Sequence, residues 1–394
     1  MKAAAALPRL GLLVAALALG ACGGGGGSSG SGSGTLQLSL TDAPACGFDA
    51  VNVTITGLSV NQSATAGASD AGWVNVPITA QRINLLDWQN GLLTTLGTTP
   101  LAAGHYTQMR LQLAKNSGNT LANSVVPSGG QETALDTPSA VQSGLKLNVD
   151  LTVAANQIAD FVLDFNACRS VVTAGASGKY LLKPVIAVTP NFISGVSGKV
   201  AAAIEGGTAA GTQILLETPG SSGTAPIVVK ATAPDSTGSF LLEPVAPGTY
   251  DLVVSSAGHA AAVVTSVVVQ SQLVTSIATT LDPPLSATSA VQPGTVSSAV
   301  TPIDATISAQ QTLSGGAVLE MASAGADSST GAFSFTLPLA APVVAAYVPG
   351  SLAFSADSTA AAKYTFVASS GGVNQSAGPL QLVAGSNAAL AFAF

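Results

Sequence analysis

The chain has 394 residues, of which 8% are Asp, Glu, Lys or Arg, against about a quarter in an ordinary soluble domain. Twelve Lys and Arg and a net charge of −7 cannot neutralise a nucleic-acid backbone, so no nucleic-acid partner is expected. Hydrophobic residues at 47% exclude charge-driven disorder for most of the chain, and the lack of charge excludes long charged helices and coiled coils.

Residues 1–21 read as a secretory signal. Lys2 and Arg9 are its positive end, and Leu10 to Leu19 is an apolar run too short to span a bilayer. It ends Leu19-Gly20-Ala21-Cys22. Small residues before a Cys resemble the bacterial lipoprotein signal, which implies cleavage before Cys22 and lipidation of that residue. The alternative is an ordinary signal peptide with an incidental Cys. Residues 22–34 are that Cys followed by Gly and Ser alone, the composition of a flexible tether. By the usual sorting pattern of the lipoproteins it resembles, Gly23 and not Asp after the Cys implies the outer membrane. No later run reads as a membrane helix: the most apolar stretch, Phe333 to Val348, contains Pro338 and Pro342. The membrane partner would be reached through lipid alone.

Two further cysteines, Cys46 and Cys168, lie just after strand-like runs. In an exported, oxidising compartment a disulfide between them is the default, with two unpaired thiols as the alternative.

Residues 35–190 alternate apolar and polar with period two, as in Leu145-Lys146-Leu147-Asn148-Val149 and Met109-Arg110-Leu111-Gln112-Leu113. This predicts an antiparallel sandwich of about eight strands, with a short helix or turn over Ile83 to Asn90. Several stretches occur in order: Leu38-Ser39-Leu40-Thr41-Asp42-Ala43-Pro44, Gly72-Trp73-Val74, Leu85-Leu86-Asp87, Gln89-Asn90-Gly91, Ala103-Gly104-His105-Tyr106 and Gly178-Lys179-Tyr180-Leu181-Leu182-Lys183-Pro184-Val185. On these the segment resembles the bacterial family called domain of unknown function 4382, which implies a fold and no established activity.

Residues 191–282 carry Gly195-Val196-Ser197-Gly198, Asp235-Ser236-Thr237-Gly238-Ser239-Phe240 and Pro247-Gly248-Thr249-Tyr250. They resemble the carboxypeptidase-regulatory-like, prealbumin-like sandwich, whose superfamily includes starch-binding-like modules. The Asp-to-Gly run makes a tight turn, and Tyr250 belongs at a sandwich corner. Residues 292–394 echo this unit in Asp327 to Phe333 and Tyr364 to Gly371. They read as a diverged duplicate with an insertion near 338–360, or as a separate β-domain.

Candidate chemistry is sparse. His105 and His259, the two histidines, fall in different segments and cannot build a zinc site. No nucleophile elbow follows a strand into a helix. Neither a cofactor nor an enzymatic activity is expected. Asp160 and Asp164 share one strand face, read as solvated, with a glycosidase pair as the alternative. Asp42 and Asp49 flank Cys46 and are weak calcium candidates, with turn capping as the plainer reading. Trp73 and Trp88 are the two tryptophans and the candidate ligand platforms. Trp73 is expected in the core and Trp88 to be the freer ring. Two readings follow: a lipoprotein that binds or presents a partner such as a glycan or envelope protein, or a structural or adhesive stalk with spacer sandwiches.

Overall fold

The computed structural model describes residues 32–42, 47–118, 120–137, 144–175, 178–201, 211–221 and 224–394. The signal segment, Cys22, nearly all of the Gly/Ser tether and Cys46 lie outside the described residues, and so does one end of the expected Cys46–Cys168 bridge. Gly32–Phe394 is one compact unit, and its architecture is all-β.

The first sandwich contains β1 (Ser33–Asp42), β2 (Phe48–Asn61), β3 (Val74–Val76), β4 (Gln81–Asn84), β5 (Thr94–Ala102), β6 (Gly104–Leu113), β7 (Ser124–Pro127), β8 (Thr133–Asp136), β9 (Leu145–Val153) and β10 (Ile158–Phe165). A one-turn helix α1 (Ala167–Ser170) follows, then β11 (Val171–Thr173), β12 (Tyr180–Leu182) and β13 (Ile186–Pro190). One sheet runs β13-β10-β1-β5 and the other β11-β12-β8-β7-β2-β6-β9, with β3 and β4 also pairing β2. The alternation read from sequence buries Leu36, Leu38 and Leu40 of β1 against Met109, Leu111, Leu147, Leu151, Phe161 and Leu163. The sheets are not purely antiparallel, since β1 pairs β10 in parallel, Leu38 beside Phe161. Over 83–90 the chain forms the end of β4 and a 3-10 turn, Leu85–Trp88, capped by the Asn84 side chain.

The second sandwich comprises β14 (Gly195–Lys199), β15 (Thr212–Thr218), β16 (Ile227–Thr232), β17 (Ser239–Leu242), β18 (Gly248–Ser256), β19 (Ala262–Val269) and β20 (Val274–Ser276). The third comprises β21 (Ser289–Ser297), β22 (Thr306–Thr312), β23 (Val318–Gly325), β24 (Ala332–Pro338), β25 (Val343–Ala346), β26 (Ser355–Ala356), β27 (Lys363–Ser370), β28 (Val373–Gln381), β29 (Gly385–Ser386) and β30 (Leu390–Ala393).

These two units share one topology. Sheets β17-β14-β20 and β16-β15-β18-β19 correspond to β24-β21-β29/β30 and β23-β22-β27-β28. Details repeat as well. A β-carbon on Gly198 would meet the Phe240 ring at 2.6 Å, and one on Gly294 the Phe333 ring at 2.2 Å. Each glycine therefore lets the aromatic after the Asp-to-Gly turn lie flat on its own sheet. Tyr250 donates its hydroxyl proton to Ala246 O at 2.9 Å, and Tyr364 donates to Pro338 O at 2.9 Å. Register shifts follow both tyrosines. The inserted strands leave the third unit: β25 pairs in parallel with β19, Ala262 beside Val343, and β26 continues that sheet. They cover the β19 edge, an exposed ladder that would otherwise invite pairing with another chain.

Candidate functional site

The strongest concentration of buried charge lies where the first sandwich meets the other two. It begins on β10. The face carrying Asp160, Val162 and Asp164 was expected in water, yet Val162 is fully buried. The second sandwich covers it. Lys230 of β16 donates to Asp164 Oδ2 at 2.9 Å, with side chains only 3% and 14% exposed. Asn191 Nδ2 donates to Asp160 Oδ2 at 2.9 Å. Asp164 Oδ1 is buried without a protein partner. A cavity of about 80 Å³ beside it, lined by Asp164, Asn166, Arg169 and Lys230, has the size and polarity to hold water. These carboxylates are thus docking groups, Asp164 held by Lys230 and Asp160 by Asn191.

Helix α1 supplies the next contact. Asn166 caps it by accepting from Arg169 N at 3.0 Å. Arg169 then reaches β23, pairing through Nη2 with Glu320 Oε1 and donating from Nε to Ser323 Oγ at 3.0 Å. Glu217 of β15 is fully buried beside this pair. Its Oε2 accepts from Glu320 N at 2.9 Å, and its Oε1 has no hydrogen-bond partner. Burial, with the Glu320 and Asp251 charges adding, pushes its carboxyl well above the ordinary range against the pull of the Glu320 N–H and Arg169.

A pH dependence follows. A carboxyl whose folded-state pKa is raised favours the fold below its unfolded value. The advantage is lost as pH rises from about 4.5 through the raised value. Glu217→Gln keeps an oxygen for Glu320 N and cannot ionise. Its melting temperature therefore exceeds that of the wild type at pH 8 by more than at pH 4.5, in thermal melts by circular dichroism. An equal difference at both pH values defeats this assignment.

Asp327 closes the seam. Its Oδ2 accepts from Gly175 N at 2.6 Å and Thr173 Oγ1 at 3.1 Å, both of the first sandwich. Its Oδ1 accepts from Ser329 N, Thr330 N and Thr330 Oγ1 at 3.0, 2.7 and 2.9 Å. Burial pushes this carboxyl up, but the donors from Thr330, Ser329 and Gly175 outweigh it and hold the pKa at about 2.

The loop after Trp88 docks too. Asn90, at a positive φ of 56°, accepts at Oδ1 from Thr232 Oγ1 at 3.1 Å and Leu241 N at 3.3 Å. The indole of Trp88 packs against the first core, and its carbonyl accepts from Thr41 Oγ1 at 2.9 Å. Trp88 is therefore a packing residue beside the interface. Trp73, expected in the core, lies half-buried outside the core cluster. Its Nε1 donates to Gly67 O at 2.9 Å, and the Arg110 guanidinium sits 5.1 Å from its ring centroid. It fastens the β2–β3 loop onto the sheet. The two candidate platforms are not brought together.

Asp49 caps a turn, accepting from Gly129 N at 3.1 Å; the side chain of Asp42 lies outside the described residues. Among the described residues no group of three or more His, Cys, Asp or Glu could hold a metal ion, and no helix is long and apolar enough to cross a membrane. His105 pairs with Asp150 at 2.7 Å on the surface, and His259 contacts Ala257 O at 3.0 Å. Cys168 lies in α1 with Gln213 Nε2 at 3.5 Å from its sulfur.

Residues 33–184 match the family described as Domain of unknown function (DUF4382). No curated protein matches. Among solved structures, the TIE protein of Bacillus anthracis aligns at 9% identity over 92% of this chain and 51% of its own, with a TM-score of 0.15. The chain therefore spans about half the length of that protein. A streptococcal ancillary pilin aligns at 10% identity over 90% of this chain and 97% of its own, TM-score 0.15. The major pilin subunit BcpA of Bacillus cereus aligns at 11% over 92% and 99%, TM-score 0.13.

Proposed function

We propose that this is a non-catalytic envelope protein, anchored by lipid at Cys22 in the outer membrane, in which the second and third sandwiches hold the domain of residues 33–184 in a fixed orientation for a structural or adhesive task. The buried seam of Lys230–Asp164 and Arg169–Glu320 carries this reading. Charges this deeply buried at a contact between domains demand one docked geometry, because any misaligned docking would leave each one buried without its partner. A protein whose domains swivel as independent spacers has no use for such pairs. Cys22→Ala is expected to move the protein out of the membrane fraction; retention there rejects the anchor. On a glycan microarray, residues 33–394 are expected to show no saccharide binding that depends on Trp73 or Trp88. Saccharide binding that disappears in Trp88→Ala or Trp73→Ala would replace the structural reading with carbohydrate recognition. A Cys46–Cys168 bridge fits an exported chain, and peptide mapping under non-reducing conditions should recover the two joined; free thiols at both positions reject it.

A further inference from the structure

The second and third sandwiches enclose a cleft of about 780 Å³, within the usual range for small-molecule sites. Thr265, Ser266, Ser314 and Ser358 contribute to a hydroxyl-rich lining around two carboxylates, Asp251 and Asp357, with no Lys, Arg or aromatic side chain among the described lining residues. The two carboxylates differ. Asp357 is saturated: Ser314 N donates to Oδ2 at 2.6 Å, and Thr359 donates to Oδ1 from N at 3.1 Å and from Oγ1 at 2.5 Å. Asp251 is 5% exposed and takes one hydrogen bond, from Ser266 N to Oδ1 at 2.8 Å. Its Oδ2 has no donor among the described residues.

The third unit, with the same topology, shows that this sheet arrangement does not require the acid. Asp251 of β18 lies beside Glu217 of β15. Gln310 and Thr365 occupy the matching register, just past the same bulges. One copy builds the position from two neutral residues, and the other places two carboxylates there. Burial pushes the Asp251 carboxyl above its ordinary value, with the Ser266 N–H opposing, so the acid is maintained at a cost in stability.

We propose that the cleft binds a small ligand through a primary ammonium group, which pairs with the open oxygen of Asp251 while the surrounding hydroxyls take the polar remainder of the molecule. An amino sugar and a lysine side chain both offer this chemistry. The site is independent of the presentation role.

Isothermal titration of residues 33–394 tests it with glucosamine and Nα-acetyl-lysinamide, each against its N-acetylated neutral counterpart. At least one amine is expected to bind at least about tenfold tighter than its neutral form; which one identifies the source. Asp251→Asn keeps an acceptor for Ser266 N and should abolish that preference. Ala346→Phe narrows the cleft without touching Asp251 and should weaken the amine equally. Equal affinity for amine and neutral forms, absence of binding by both amines, an unchanged preference in Asp251→Asn, or undiminished amine binding in Ala346→Phe overturns the proposal.

Discussion

Lys230→Ala is expected to lower the stability of residues 33–394 by about 3–5 kcal/mol, the usual cost of removing one partner from a buried ion pair. The methylenes of Lys230 contribute through packing, but the larger loss comes from Asp164. Its Oδ2 loses its cation and its Oδ1 already has no protein partner. A carboxylate left this way in a low-dielectric seam is costly. The pair itself is not a source of net stability, so Lys230→Met combined with Asp164→Leu should return the protein close to wild type. Urea unfolding of the three proteins separates these effects. If the single substitution costs under about 1 kcal/mol, as at a surface pair, the seam is wet and the rigid-presentation reading loses its support.

Asp327→Ala should cost about 2–3 kcal/mol. A carboxyl held at about 2 against an ordinary 3.8 contributes roughly 2 kcal/mol to the folded state at neutral pH. Removing it also leaves the Gly175, Ser329 and Thr330 N–H groups without their acceptor. The direction with pH is opposite to that of Glu217. The depressed value makes the contribution complete above about pH 4, and it disappears as pH falls towards 2. Wild type should therefore lose stability over that interval, and Asp327→Ala should lose less. Parallel curves for the two proteins would show that Asp327 is not the titrating group. Because its oxygens bind both its own turn and the first sandwich, the variant should also make the 173–175 segment more sensitive to protease.

Much of the architecture was legible in the sequence because a period of two leaves few options. Leu145 to Val153 and Met109 to Leu113 could bury one face only as strands. The Asp-to-Gly turns and the tyrosine corners were local signals, and local chemistry settled them. The seam was not legible. Asp164 sits in Phe-Val-Leu-Asp-Phe and Lys230 in Val-Val-Lys-Ala-Thr, and each looks like a polar residue on an outward face. What changes their meaning is a partner 66 residues away, and pattern along a strand carries no information about what lies across an interface. One clue was present: both charges are flanked by apolar residues at odd and even positions alike, a sign that neither face of the strand is wet. The tryptophans misled for the related reason that a single ring gives no period. Trp88 packs inward because the Asn90 turn beside it docks on Thr232, and Trp73 lies out under Arg110 because its loop folds back over the sheet.

The strands inserted after β24 impose an order on how the protein can be made. The β19 edge is complete only when residues 343–346 lie against it, and these follow in the chain after four strands of the third sandwich. A polypeptide emerging from its N-terminus can assemble the first sandwich early. The second must wait, with one ladder open, until most of the third has appeared. Truncation anywhere between 283 and 342 would therefore damage the unit it appears to spare, leaving a soluble-looking domain with an adhesive edge. The two units of matching topology are separate in sequence but are obliged to mature together.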